Sequence, residues 1–316
     1  SACLVGSEMC IRDRSRDLAQ VVCVGLAVLD HVFIVPEIPS IPTKWHATSY
    51  HPAGGGNAAT AAVAIARGGG EAVYWGRLGD DENGSWILRE LEDYGVTVDD
   101  VLRLEGVSSG VSSVLVDQEG ERLIVNYSDP QLITDADWLP LENLSEADAV
   151  LVDLRWHEGA KKTLDEARKQ DIPAVLDVDI TPEGLEPEVI ELSSHALFSE
   201  PALKQFSNGS TILAGLQQAA ELNQGWVGVT CGAEGTSWLE DGQLRHQPAF
   251  PVKSVDTLGA GDVFHGLFAL GLAEGLSEES SLVRASAAAA ISCSRTGGRD
   301  AIPLEHEIEA FLKERS

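Results

Sequence analysis

The chain has 316 residues, of which 44% are hydrophobic, and a formal net charge of −28. At roughly 100–200 residues per domain that length allows one large domain or two smaller ones, able to bury most of their surface without disulfides or structural metals. So acidic a surface repels nucleic acid and anionic membranes, and with only seven lysines present each cation becomes informative.

Five cysteines, Cys3, Cys10, Cys23, Cys231 and Cys293, form no Cys-x-x-Cys pair and no zinc spacing, as expected of separate thiols in a reducing compartment. No apolar run approaches the roughly 18 residues that cross a bilayer. Residues 1–17 carry three arginines, no periodicity and no apolar signal-peptide core. They are expected to be a non-native or disordered leader to a domain spanning 18–316, and a cytoplasmic location is expected.

The first ordered pattern is an apolar, β-branched run from Val21 to Val28, which predicts a buried strand ending near Asp30. Extended chain continues from His31 to Val35, and three prolines then make Glu37 to Thr43 a loop. Gly54 to Gly56 predicts a tight turn, and Ala58 to Arg67 a small-sided helix packed close to a sheet, stopped by Gly68 to Gly70. A strand is predicted over Ala72 to Leu78, an amphipathic helix over Gly84 to Tyr94, and a hairpin from the runs Ser112 to Val116 and Arg122 to Tyr127. From residue 149 strands and helices alternate: strand 149–154, helix 159–169, strand 174–178, helix 187–193, strand 196–198, helix 210–222 and strand 226–230. That alternation predicts βαβ units and a mainly parallel sheet. A second hairpin (236–245) and helices over 262–274, 280–294 and 304–313 complete the chain.

The strongest chemical signal is Asp256-Thr257-Leu258-Gly259-Ala260-Gly261-Asp262 leading into a helix. Small residues let backbone N–H groups approach a ligand, and a helix N-terminus adds free donors and a positive dipole end. That is a seat for transferring phosphoryl oxygens, with Gly259, Ala260 and Gly261 as the anion hole. An acid beside it is repelled by phosphate, which makes sense if Asp262 accepts the proton of an attacking hydroxyl. An isolated Asp there would serve simply as a helix cap.

The string resembles the C-terminal signature of the PfkB, or ribokinase-like, sugar kinases. Gly55 to Ala62 is similar to their N-terminal signature, Gly76-Arg77-Leu78-Gly79-Asp80-Asp81 with Gly84 to a third shared block, and Thr230 to Gly235 to their nucleotide loop. The blocks keep the family's order across residues 20–312. The resemblance implies a ribokinase-like α/β fold: a mainly parallel, Rossmann-like sheet flanked by helices, with a small β-sheet lid drawn from about 30–50 and 108–128. It implies ATP bound near Thr230, Gly232, Gly235 and Thr257, a sugar held between core and lid by Asp30 and the backbones of Gly55 and Gly56, Mg²⁺ arriving with ATP, and a homodimer formed through the lid strands. Two positions depart from the pattern. Thr60 replaces the usual asparagine of the N-terminal block. The magnesium-associated Asn-x-x-Glu is reduced to Ser199-Glu200-Pro201-Ala202, leaving Glu200 to order metal-bound water.

Further blocks resemble one branch of the family, the 6-deoxy-6-sulfofructose kinases: Asp153 to Lys162, Phe198 to Pro201, Arg245 to Phe250, and Ile124 to Tyr127. Thr60 matches that branch. The resemblance assigns Lys44, Asn126 and Arg155 to the sulfonate, a permanent anion suited to charge-assisted bonds. Fructose 6-phosphate and tagatose 6-phosphate are the nearest alternatives, because two cations also suit a phosphate monoester. Fructose or 2-keto-3-deoxygluconate comes next, since a neutral sugar would leave buried cations unpaired. A non-catalytic sugar or nucleotide sensor on the same fold would be expected to have lost Asp262 or its glycines.

Overall fold

The structure is a computed structural model that describes residues 18–132, 135–181 and 184–315; the leader expected over 1–17 lies outside the described residues. In chain order its strands are β1 (Gln20–Val24), β2 (Val28–Ile34), β3 (Ser49–Gly55), β4 (Glu71–Trp75), β5 (Arg77–Gly79), β6 (Leu102–Leu104), β7 (Val111–Val116), β8 (Arg122–Tyr127), β9 (Ala149–Asp153), β10 (Ala174–Val178), β11 (His195–Ser199), β12 (Trp226–Thr230), β13 (Thr236–Glu240) and β14 (Gln243–Gln247). The helices are α1 (Asn57–Arg67), α2 (Glu82–Asp93), α3 (His157–Lys169), α4 (Pro187–Leu192), α5 (Glu200–Phe206), α6 (Ile212–Leu222), α7 (Ala260–Ala273), α8 (Glu278–Cys293) and α9 (Glu305–Lys313).

An eight-stranded sheet is ordered β14-β13-β12-β11-β10-β9-β1-β4, parallel except for β13 and β14. Every residue of β9 and β10 is buried, because helices cover both faces and the strands therefore read as continuous apolar runs. Alternate residues feed two cores. Val21, Cys23, Leu151 and Val175 pack with α1, α7 and α8, whereas Val22, Val150, Leu176 and Phe198 pack with α3 to α6. Burying one such Val or Leu stabilises the fold by about 1.5–3 kcal/mol.

A separate four-stranded sheet, ordered β3-β2-β7-β8, is drawn from residues 28–55 and 111–127. Cross-strand register puts Asp30, Ser112 and Asn126 in one row. By alternation Val32, Val114, Ile124 and Arg122 share that face. Arg122 reaches the main body, bonding Asp256, so this face is the inner one.

Several boundaries differ from expectation. The run 21–28 is two strands of different sheets, divided at Gly25, where a Cβ would collide with the Asp153 carboxylate. Asp30 is therefore the third residue of β2, not the end of the first strand. The predicted strand 72–78 is likewise split into β4 and β5. Gly54 and Gly55 lie in β3, and only Gly56 makes the bend, with φ +97° and no room for a Cβ beside the Leu26 carbonyl. Helix α5 was masked by Pro201, which sits in its first turn, where a missing N–H is harmless. Helix α1 packs on α7 as well as on the sheet; at the crossing a Cβ on Gly266 would stand 2.6 Å from the Ala61 carbonyl.

Candidate active site

Helix α7 opens at Gly259, whose left-handed φ of +70° brings its Cα against Thr60: an added Cβ would lie 3.3 Å from the threonine methyl. No side chain caps this N-terminus. The Ala260 amide donates to the Thr257 carbonyl at 3.3 Å, a long bond that a charged oxygen can displace. Beside it runs a cleft of about 590 Å³, walled by Thr230, Gly232 and Gly235 on one side and by Thr257, Ala260 and Gly261 on another, with Ser286 and Cys293 of α8 closing it. The volume suits a nucleotide-sized ligand. All the residues expected at the nucleotide and in the anion hole, save Gly259 behind the loop, line this one cleft. Gly235 is dictated by packing, since a Cβ there would collide with the Gln247 carbonyl.

Asp262 stands in the first turn of α7, half-buried. Burial, then the charges of Asp177, Asp153 and Asp179, push its carboxyl well above the usual range, against a smaller pull from Arg299. A carboxylate raised toward neutrality is a competent acceptor for a hydroxyl proton. Asp177 is held beneath it, accepting from Asn57 Nδ2 at 3.1 Å and lying 3.4 Å from His265 Nδ1 without hydrogen-bond alignment.

The main sheet changes connection direction at β1, flanked by β4 on one side and β9 on the other. Ligands bind open α/β sheets at the carboxyl ends around such a switch point. Asp153 ends β9 there. Its Oδ2 accepts the Leu26 and Ala58 amides at 2.8 and 3.1 Å, and its Oδ1 the Arg155 amide at 2.8 Å. Opposite, Asp30 packs against the Cα of Gly55. Burial raises the Asp30 carboxyl, and a hydrogen bond from Ser112 and the charge of Arg299 pull it partly back. Arg299 is itself buried in an ion pair with Glu90, donating also to the Gly55 carbonyl at 3.0 Å and to Thr60 Oγ1 at 3.3 Å. Thr60 thus joins this cluster to Gly259.

The three residues expected at the sulfonate are less uniform. Asn126 shares the inner face with Asp30. Arg155 follows β9, but its guanidinium already pairs with Asp179 at 3.1 Å. Lys44 lies exposed in the β2–β3 loop. The expectation that a neutral sugar would strand buried cations therefore does not hold: one cation is partnered and the other is in solvent. Glu200 pairs with Lys204 one helical turn on, at 2.6 Å, and no group of three metal-ligating side chains occurs among the described residues.

Four residues with a part in this architecture escaped the sequence reading: Asp153, Asp177, Arg299 and Arg122. An acid ending the run 149–153 and another one residue short of the end of 174–178 were a usable signal. Arg299, in a single 3-10 turn over Gly298–Ala301 too short to show periodicity, gave none.

Comparison with known proteins yields consistent findings. The profile described as pfkB family carbohydrate kinase matches residues 18–305. The ribokinase of Bacillus subtilis is 31% identical over 297 residues, 92% of this chain and 99% of that protein. Among solved structures, a candidate ribokinase from Agrobacterium tumefaciens is 37% identical and superposes with a TM-score of 0.89, covering 94% of this chain and 98% of that one. Arabidopsis thaliana ribokinase complexed with ribose and ATP is 25% identical, with a TM-score of 0.82 over 94% and 99% of the two chains.

Proposed function

The chain belongs to the pfkB family of carbohydrate kinases, and from that premise we propose that it transfers the γ-phosphoryl group of ATP to the C1 hydroxyl of 6-deoxy-6-sulfofructose. The observation that carries the phosphoryl-transfer step is Asp262, raised toward neutrality in the uncapped first turn of α7 beside the cleft. Asp262 accepts the hydroxyl proton as the oxygen attacks phosphorus, and the amides of Gly259, Ala260 and Gly261 stabilise the equatorial oxygens. ATP lies along Thr230 to Gly235 and Thr257. Mg²⁺ would enter with the nucleotide as part of the substrate and would neutralise phosphate charge as the group transfers.

Asp30, with the backbones of Gly55 and Gly56, holds the sugar hydroxyls under a lid formed by the small sheet. The acceptor assignment rests on the blocks around Arg155, Asn126 and Thr60. A second reading, a neutral sugar such as ribose or fructose, is favoured by one observation: the Arg155–Asp179 pair neutralises the cation before any anion arrives. An ADP-release assay with 6-deoxy-6-sulfofructose, fructose 6-phosphate, fructose and ribose at matched concentrations separates the readings. The expected result is preference for the sulfosugar, lost in Arg155→Ala by roughly 10–10²-fold in kcat/KM, the worth of one charge-assisted bond. Equal or better use of ribose, untouched by Arg155→Ala, would overturn the sulfosugar assignment and leave the kinase chemistry intact.

A further inference from the structure

Among the described residues Arg77 has no carboxylate partner. It begins β5 and is 7% exposed. Its three donor nitrogens go to three backbone carbonyls: Nε to Leu132 at 2.9 Å, Nη2 to Arg155 at 3.0 Å and Nη1 to Gly25 at 3.3 Å. The guanidinium carbon lies 4.5 Å from the centre of the Trp156 ring. Burial lowers the pKa of its guanidinium to about 10, against the opposing pull of Tyr74 and Asp153, so it remains charged at neutral pH.

The identity of the three carbonyls matters more than their number. Gly25 is the joint between β1 and β2, where the chain leaves the main sheet for the small one. Leu132 follows β8, where the chain returns. Arg155 begins the segment after β9 that carries a cation to the switch point. Asp153, 2% exposed, holds two of these places from the other side. The Leu26 amide, on the same peptide unit as the Gly25 carbonyl, and the Arg155 amide both donate to it. Tyr74 Oη adds a bond to the Gly25 carbonyl at 2.8 Å. Two buried charges of opposite sign therefore grip the same backbone, the arginine by its carbonyls and the aspartate by its amides.

We propose that Arg77 is a positioning residue for the sugar site: it locks two of the four chain crossings between the main body and the small sheet, the first and the last, together with the Arg155 segment into one rigid joint, stacked on Trp156. It touches neither sugar nor nucleotide. It acts by fixing where the sheet bearing Asp30 and Asn126 stands relative to Arg155. Lysine cannot replace it, because a point ammonium does not span three divergent acceptors. The inference depends on sugar-kinase membership and not on which sugar is used.

The test compares wild type with Arg77→Lys and, in case the buried variant fails to fold, with Trp156→Phe, which keeps all three Arg77 hydrogen bonds and weakens the stack beneath the guanidinium. Two measurements are made: amide hydrogen exchange without ligands, and initial rates with whichever sugar of the panel above the wild type phosphorylates best. In Arg77→Lys, amides of 25–29 and 127–132 should exchange faster while those of β10 to β12 are unchanged. The KM for sugar should rise by about 10²-fold, the consequence of misplacement near 1 Å, with the KM for ATP unchanged. Trp156→Phe should move the same quantities in the same direction by less. Parallel rises in both KM values, faster exchange throughout the main sheet, or no change at the two crossings would each overturn the proposal. Failure of the sulfosugar assignment would leave all of these readouts measurable.

Discussion

As the proposed base, Asp262 must meet two requirements that oppose each other. To take a proton it must be basic, and it is made basic by burial and by the neighbouring charges of Asp177, Asp153 and Asp179. The same environment penalises its ionised form in the folded state. A carboxyl whose folded pKa exceeds the unfolded value of about 3.8 adds stability that is complete below that value and is lost as pH rises through the folded one. Asn at this position has no charge to bury. Asp262→Asn should therefore reduce turnover by about 10²–10⁴-fold and at the same time raise the melting temperature of the ligand-free enzyme at pH 8. The gain should shrink towards pH 4. Calorimetry across that range, beside the ADP-release assay, checks both halves. Near-normal turnover would remove Asp262 as the base, and a gain independent of pH would remove burial of its charge as the cause.

At the scale of elements, the inner face of the small sheet is tied to the phosphate loop by Arg122, the first residue of β8. Its Nη2 lies 2.6 Å from Asp256 Oδ1, which also accepts the Leu258 amide at 2.9 Å. Both side chains are mostly shielded from solvent. One contact thus links the sheet proposed to cover the sugar to the loop that carries Thr257, Gly259 and Asp262. A charge-assisted bond of this kind is worth about 1.5–3 kcal/mol, or roughly 10–10²-fold in kcat/KM. Arg122→Ala and Asp256→Ala should each lose about that much, and the double variant no more than either; additive losses would show that the two residues act independently. The sequence announced the elements of this link but not the link. The sequence pattern located β8, β10 and β12 to the residue and β7 to within one; β10 and β12 were legible because covered strands read as unbroken apolar runs. The glycine string announced the proposed anion hole, because backbone approach requires small residues. Contacts across 52 to 209 positions, Arg122 with Asp256, Arg77 with Gly25, Leu132 and Arg155, and Arg299 with Glu90, leave no periodic trace, and neither did the break at Gly25, where packing against Asp153 decides the boundary.

For the whole molecule, the outer face of the small sheet is the surface that contradicts its own chemistry. The chain carries a formal charge of −28, yet register and alternation place Tyr50, Leu123, Val125 and Tyr127 together on the face turned away from Asp30 and Arg122. Val125, Tyr127 and Tyr50 are 61, 54 and 51% exposed, and β8 is a free edge whose unpaired backbone invites further strand pairing. Contiguous apolar surface of this kind marks an interface. The occupant that fits best is a second copy of the chain, because a two-fold axis sets the patch against itself and keeps the acidic remainder of each copy in water. The homodimer so proposed is tested by sedimentation equilibrium at micromolar concentration, comparing wild type with Val125→Asp. Two buried carboxylates facing each other across the axis would oppose association strongly, so the variant should sediment as a monomer. It should also lose sugar affinity more than ATP affinity, since the partner would steady the sheet that covers the sugar and not the cleft beside α8. A wild type that is already monomeric would sink the proposal, and a Val125→Asp protein that remains dimeric would move the interface to another face.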